Sequence, residues 1–238
     1  MAWRSTGATN AELVANMQSA GLIKSSCVAQ AFAQTDRAHY VKEHSRAYED
    51  APSSIGYSAT ISAPHMHAYA AESLQSSIRQ GKAVLDIGSG SGYTAAIFHR
   101  MLEREGGHGK VVGIEHIREL VEQSKRNLKA DGLAPQLEQG HIQMVCGDGR
   151  LGWPEDAPYG AIHVGAAAPN ITEALVQQLD KGGKMFIPVS EDAVLGRGDQ
   201  YIWEVEKDEQ GVVRKRKVMG VMYVPLTDAE RQRSLYTI

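Results

Sequence analysis

Ala83-Val84-Leu85-Asp86-Ile87-Gly88-Ser89-Gly90-Ser91-Gly92-Tyr93 is the stretch that decides the fold. An apolar run of strand character breaks into spaced glycines and then enters a helical pattern. Strand, glycine loop and helix in that order make a crossover that cradles a nucleotide. Glycine lets the backbone turn tightly and approach a ligand with no Cβ in the way. The helix start offers unpaired N–H groups to polar ligand atoms. The pattern departs from a dinucleotide site in two respects. Tyr93 stands where a closing glycine belongs, and Asp86 places a carboxylate where it would repel a pyrophosphate.

Outward from that stretch, 238 residues with 42% apolar content suffice for one large domain or two small ones, with a sizeable core. A net charge of -3 argues against an electrostatic nucleic-acid binder. The densest basic run, Arg214-Lys215-Arg216-Lys217, is short and reads as a solvated hairpin. Cys27 and Cys146 both fall in apolar patterns, so two buried thiols and a reducing compartment are expected. No segment resembles a leader or a membrane span, which points to a soluble, cytoplasmic protein with no membrane partner.

Before the glycine loop, Thr9 to Glu12 has capping-box spacing, and Leu13, Val14 and Met17 form a helix face that Gly21 ends. Ser25 or Ser26 opens a second helix with Val28, Ala31 and Phe32. Residues 49–58 read as turn. Pro64 then allows a helix start, with Met66, Ala70, Leu74 and Ile78 recurring along it. Ser62, just ahead of that proline-fixed turn, is a functional candidate; as a bland alternative it caps the helix. His65 and His67 are two apart and do not share a helix face, so no metal site is expected.

After the loop, strands are expected at 83–87, 111–115, 141–145, 161–164 and 184–188, separated by helices with apolar positions such as Val121 and Leu128. Such alternation predicts an α/β fold, a mostly parallel sheet with helices on both faces. Strands at 200–205 and 218–224, around a charged turn at 206–211, would close the sheet in antiparallel fashion, and Thr227-Asp228 would cap a last helix.

Right-handed crossovers bring the strands' carboxyl ends to one edge. Asp86, Glu115, Asp148 and the small-residue loop at 165–169 therefore converge. Glu115 is placed to take both hydroxyls of a ribose. Asp148 can accept from an adenine amine, with Gly147 and Gly149 leaving room for a flat ring. Asp86 can hold the glycine-loop backbone, or a cationic part of the ligand through water. An adenosine ligand without phosphates fits this set, and S-adenosylmethionine is such a ligand.

Thr60-Ile61-Ser62-Ala63-Pro64-His65-Met66-His67-Ala68, Gly147-Asp148-Gly149-Arg150, Gly165-Ala166-Ala167-Ala168-Pro169 and Leu226-Thr227-Asp228 carry a more specific signal. With them, the whole chain from Met1-Ala2-Trp3 through Thr35-Asp36-Arg37 onward resembles the protein-L-isoaspartate (D-aspartate) O-methyltransferases, a family of class I S-adenosylmethionine-dependent enzymes. That resemblance implies a Rossmann-like methyltransferase sheet in a single domain over 1–238. Its parts would be N-terminal helices and a substrate and cofactor loop in 1–80, a core in 81–189, and antiparallel strands and a cap in 190–238. The acceptor implied is the free carboxylate of L-isoaspartyl, and less well D-aspartyl, residues in damaged proteins and peptides. The methyl ester would then collapse to a succinimide that hydrolyses partly to normal aspartate. S-Adenosyl-L-homocysteine would be the other product.

Matched to the family, Ser62 is the active-site serine. Thr60, Ile61, Ser62 and His67 form the cofactor and substrate loop, and Asp86, Gly88, Ser89, Gly90 and Gly92 the glycine loop. Glu115, with His116 beside it, is the ribose acid. Asp148 and Gly149 meet the adenine, while Thr227 and Gln232 close over the cofactor. Ala63, His65, Ala166, Ala167 and Ala168 fall on the acceptor's side. Two departures stand out: Tyr93-Thr94 shifts a hydroxyl by one position, and residue 115 is Glu where Asp is common. A carboxylate is already ionised near neutral pH, so the chemistry implied is in-line positioning and exclusion of water. Ser62 would orient the attacking carboxylate by a hydrogen bond. Other readings are a methyltransferase with another acceptor, a nicotinamide oxidoreductase, a binding protein without chemistry and a nucleic-acid methyltransferase. The last lacks its polar-proline-aromatic signature after the fourth strand. A monomer is expected.

Overall fold

The structure is a computed structural model and describes residues 5–79, 81–104, 109–191 and 198–236. Trp3 lies outside the described residues. Two N-terminal helices, α1 (Asn10–Ser19) and α2 (Ser26–Gln34), come first. Thr9 Oγ1 accepts from the Glu12 amide at 3.2 Å, and the Glu12 carboxylate accepts from the Ala8 amide at 2.8 Å. These bonds satisfy donors that a helix start leaves free.

Residues 49–58, read as turn, instead contain half of a hairpin: β1 (Ser53–Gly56) pairs antiparallel with β2 (Ala59–Ile61). Tyr57 and Ser58 make the connection with φ of 53° and 55°, the left-handed region. Two-residue hairpin turns need that conformation, and glycine or asparagine usually signals it. Neither residue is present, so the signal was hidden. Helix α3 (Pro64–Leu74) starts at the proline, as expected.

A seven-stranded sheet follows. It contains β3 (Ala83–Ile87), β4 (Val111–Glu115), β5 (Ile142–Cys146), β6 (Tyr159–Val164), β7 (Leu179–Ser190), β8 (Gln200–Lys207) and β9 (Val213–Val221), in the order β5-β4-β3-β6-β7-β8-β9. Strands β3 to β7 pair in parallel, and β8 and β9 run antiparallel. The interleaved helices are α4 (Tyr93–Arg104), α5 (Arg118–Ala130), α6 (Ala134–Glu138) and α7 (Glu173–Gln178); α8 (Ala229–Tyr236) ends the chain.

Side chains alternate between the faces of a strand. Val84 and Val111 join a cluster with Leu13, Met17, Phe32, Tyr93 and Phe98, so the N-terminal helices share the core beneath α4. Leu85, Ile87, Val112 and Ile114 join the opposite cluster with Leu175 and Leu179. Burying each such side chain contributes about 1.5–3 kcal/mol. Asp131, at the end of α5, ties the N-terminal segment down by accepting from Arg100 at 2.6 Å and from Tyr40 at 2.7 Å.

Three expectations need correction. Strand β7 begins at Leu179, ahead of the expected 184, and its pairing with β6 shifts register at the Lys181-Gly182-Gly183 step. That step is an irregularity within the strand. Strand β9 spans 213–221, so the basic run lies in the edge strand, not in the hairpin turn. Arg216 pairs with Glu204, and Lys217 with Glu191. Charged residues on an edge discourage further strand pairing, and they masked the strand's apolar rhythm. Finally, Cys146 is exposed while Cys27 is buried, because Cys146 is the last residue of β5, where the chain leaves the sheet. Among the described residues, no helix is long and apolar enough to cross a membrane.

Candidate active site

The carboxyl ends of β3, β4, β5 and β6 open on one edge, where the strand order reverses between β3 and β6. Ligands bind at such a reversal in open α/β sheets. Two contiguous cavities lie there. Thr60, Gly88, Gly90 and Gly165 belong to the walls of both.

The glycine loop forms the partition. The amides of Gly88 and Ser89 donate to the Ile114 carbonyl at 2.9 and 3.1 Å, anchoring the loop on β4. Gly88, Gly90 and Gly92 all have positive φ, at 69°, 49° and 85°. A Cβ on Gly90 would also come within 2.9 Å of Ile55 Cδ1 in the hairpin. Gly92 lies behind the cavity, against Ser124 of α5.

The larger cavity is built around Glu115. Its Oε2 accepts from the Gly90 amide at 3.3 Å, and its Oε1 accepts from the Ile117 amide at 3.0 Å. Burial raises the Glu115 pKa, and those two amides partly offset the rise. A carboxylate carries about four acceptor sites, so it retains capacity for a pair of ligand hydroxyls. Asp148 and Gly149, after β5, line the same cavity. Arg150 binds Asp148 with Nη2 2.6 Å from Oδ2, which holds that carboxyl below its usual range. Gly149 serves close packing, since a Cβ there would lie 2.4 Å from Ile87 Cγ2.

A clasp closes this cavity from the C-terminal side. His116 Nε2 donates to Gln232 Oε1 at 2.7 Å, and Gln232 Nε2 donates to the Tyr57 carbonyl at 2.9 Å. Thus α8 joins the end of β4 to the hairpin turn. Thr227 and Ala166 complete the wall. Ala167 exchanges backbone hydrogen bonds of 2.8 Å with Val224 and Leu226. It lies against a neighbouring groove, whereas Ala168 packs in the core.

Ile61, Ser62, His67 and Ser89 line the smaller cavity with Tyr93 and Thr94. Ala63, not Ser62, is the N-cap of α3 and makes no side-chain cap bond, so the Ser62 hydroxyl is not a helix cap. Instead it meets the Tyr223 hydroxyl, whose pKa burial raises and this bond partly restores. His67 lies 3.0 Å from Thr94 Oγ1, and burial together with the nearby Arg37 charge lowers its pKa well below the usual value. The shifted hydroxyl at 94 therefore fixes the His67 ring. His65 points elsewhere, donating to Asp50 Oδ1 at 2.7 Å from Nδ1 and at 3.0 Å from its amide.

Asp86 does not touch the glycine-loop backbone as the sequence suggested. It faces its register neighbour His163 on β6, which donates from Nδ1 to Asp86 Oδ1 at 2.7 Å. Asp86 Oδ2 is buried without a partner. Sequence reasoning missed four participants: His163, Tyr57, Tyr223 and Arg37. His163 was legible as the penultimate residue of a strand whose end faces the site. Tyr57 and Tyr223 act through folding of distant segments and leave no periodic signal.

A family model described as protein-L-isoaspartate(D-aspartate) O-methyltransferase (PCMT) matches residues 8–231. The protein-L-isoaspartate O-methyltransferase 1 of Arabidopsis thaliana is 46% identical over 223 residues, covering 94% of this chain and 93% of the relative. The protein-L-isoaspartate O-methyltransferase of Caenorhabditis elegans is 44% identical, covering 98% of each. Among solved structures, a Plasmodium falciparum chain assigned as a protein-L-isoaspartate O-methyltransferase, crystallised with S-adenosyl-L-homocysteine, superposes with a TM-score of 0.82. It is 31% identical and covers 92% of this chain and 98% of its own.

Proposed function

This chain belongs to the protein-L-isoaspartate (D-aspartate) O-methyltransferase family, and from that premise we propose how its two cavities divide the work. The enzyme uses S-adenosyl-L-methionine to methylate the free carboxylate of L-isoaspartyl residues in proteins and peptides. The observation that supports the division is contiguity: the Ser62 loop and Glu115 lie on opposite sides of one glycine loop, in cavities that share Gly88 and Gly90.

In this reading Glu115 accepts from the ribose hydroxyls and Asp148 from the adenine amine. Gln232 and Thr227 close over them. Bound there, S-adenosyl-L-methionine supplies an electrophilic methyl group on a sulfonium. The smaller cavity takes the acceptor, which needs no base because its carboxylate is ionised near neutral pH. Ser62 donates to one carboxylate oxygen and aims the other at the methyl group. His67, held neutral by burial, adds no positive charge beside the sulfonium. The clasp excludes water, which strengthens these polar contacts.

We take the whole chain as one unit, consistent with a core shared by α1, α2 and β3. We also take it as a cytoplasmic monomer; the sparse cysteines, Cys27 buried and Cys146 exposed, support a reducing compartment, and sedimentation at micromolar concentration tests the monomer. The division of labour is tested by Ser62→Ala. We expect kcat on an isoaspartyl peptide to fall about 10-fold or more, with S-adenosyl-L-homocysteine affinity unchanged. Parental kcat would remove Ser62 from the role.

A further inference from the structure

Arg37 occupies an unusual place for an arginine. It stands in a 3-10 turn after α2 and is 1% exposed. Arginine is almost never fully buried unless paired, because an uncompensated charge in the interior is costly. Its contacts explain only part of that placement. Nη2 donates to the Ser62 carbonyl at 2.8 Å. The guanidinium lies over the Tyr93 ring, 5.2 Å from its centre. Nε and Nη1 find no acceptor. Asp50 is the acid that acts on Arg37; its Oδ1 is held by His65, and its buried Oδ2 makes no hydrogen bond to the guanidinium.

Tyr93 and His67, both in the wall of the acceptor cavity, stack edge to face at 5.1 Å. A buried, incompletely neutralised cation therefore sits immediately behind the acceptor cavity, bonded to the backbone of Ser62, which lines it. Residues 62–63, between β2 and α3, have no regular ladder to fix them. Ala63, the N-cap, lends no side-chain bond. The Arg37 bond is thus a side-chain anchor for the Ser62 carbonyl, which the His67 ring also approaches.

We propose that Arg37 is a positioning residue for methyl transfer: by holding the Ser62 carbonyl from behind, it sets the direction of the Ser62 hydroxyl toward the acceptor carboxylate. This inference rests on the role assigned to Ser62 above. Misplacing a positioned group by about 1 Å costs up to about 100-fold in rate. A guanidinium reaches and orients through a rigid fork that lysine lacks. Methionine keeps comparable apolar bulk and donates nothing.

The test is a double-mutant cycle in the full-length enzyme. Arg37→Met, Arg37→Lys and Ser62→Ala are made singly, and each Arg37 change is also combined with Ser62→Ala. The readout is kcat on an isoaspartyl peptide per S-adenosyl-L-homocysteine binding site, counted by calorimetry, so misfolded protein does not contribute. Ser62→Ala keeps the carbonyl and removes only the hydroxyl. Arg37→Met is expected to lower kcat per site about 10- to 100-fold, and Arg37→Lys by less. In the Ser62→Ala background both losses should shrink to about twofold or less, since coupled residues are not additive. If Arg37→Met yields no binding-competent protein, the Arg37→Lys cycle reads the same coupling.

Losses that persist undiminished in the Ser62→Ala background would overturn the proposal, as would unchanged kcat per site in the Arg37 variants. Parental kcat in Ser62→Ala alone is a different failure. It would sink the Ser62 role, on which the Arg37 role depends.

Discussion

Glu115 Oε2 accepts from the Gly90 amide at 3.3 Å, so the acid on the floor of the larger cavity and the tip of the glycine loop hold each other in place. The same carboxylate is proposed to take the ribose hydroxyls. Glu115→Gln keeps an acceptor for Gly90 but loses the charge. A hydrogen bond to a charged group is worth about 1.5–3 kcal/mol, so S-adenosyl-L-homocysteine should bind about 10- to 100-fold more weakly by calorimetry. Because burial raises the Glu115 pKa, its ionised form at neutral pH costs the fold stability, which is greatest below the unfolded carboxyl pKa. In the variant, however, the Gln amide nitrogen faces the Ile117 N–H, and that unmet donor costs about 1–3 kcal/mol, so no gain in melting temperature is expected. Unchanged affinity would remove Glu115 from the ribose role.

Gly90→Ala combines two penalties, a φ of 49° and a Cβ 2.9 Å from Ile55 Cδ1. A left-handed alanine costs about 1–2 kcal/mol. Denaturant unfolding should show at least that loss, with weaker cofactor binding as the loop and hairpin move apart. Parental stability would mean that the hairpin yields freely at Ile55.

Gln232 bridges His116 and the Tyr57 carbonyl. Gln232→Ala should open the clasp and speed release of S-adenosyl-L-homocysteine. A net hydrogen bond is worth about 0.5–1.5 kcal/mol, so affinity should fall about 3- to 10-fold per bond, with kcat at saturating cofactor little changed. A large fall in kcat with unchanged affinity would place Gln232 in the chemistry instead.

How much of this was legible follows from where each signal resides. The β3 strand and its loop announced themselves because a doubly buried strand needs a mostly apolar run and three positive-φ positions need glycine. Glu115 and Asp148 followed from topology, since parallel strands end on one edge. The hairpin at 53–61 stayed hidden because Tyr57 and Ser58 adopt left-handed φ without the usual residues. Strand β9 was half missed because an edge strand is free to be charged. Burial of Arg37 could not be read at all: it depends on a backbone carbonyl from residue 62 and a ring from residue 93, and no local pattern encodes either.

His67 gives the stability a pH dependence. Burial first, then the Arg37 charge, lowers its pKa in the folded protein. The contribution is therefore fully present above the unfolded histidine pKa of about 6.5 and is lost as pH falls toward the folded value. Between pH 7.5 and 5.5 a histidine that stays neutral when folded costs about 1.3 kcal/mol. Urea unfolding at both pH values should show this loss in the parent and about 1 kcal/mol less of it in His67→Gln. Equal losses would mean that His67 takes up its proton in the folded state.

The two thiols should separate by reactivity. Cys146 is exposed at the end of β5, and Cys27 is on the buried face of α2. A thiol-specific chromogenic reagent should modify Cys146 in the native protein and reach Cys27 only after denaturation. Peptide mapping that finds Cys27 modified in the native state would contradict the packing of α2 against the core.

The central claim is tested most directly with two synthetic peptides that differ at one position, one carrying L-isoaspartate and the other L-aspartate. Each is incubated with the enzyme and S-adenosyl-L-methionine bearing a labelled methyl group. Base-labile label on the isoaspartyl peptide alone is the predicted result. Equal label on both peptides, or none on either while calorimetry still shows cofactor binding, would contradict the isoaspartyl assignment.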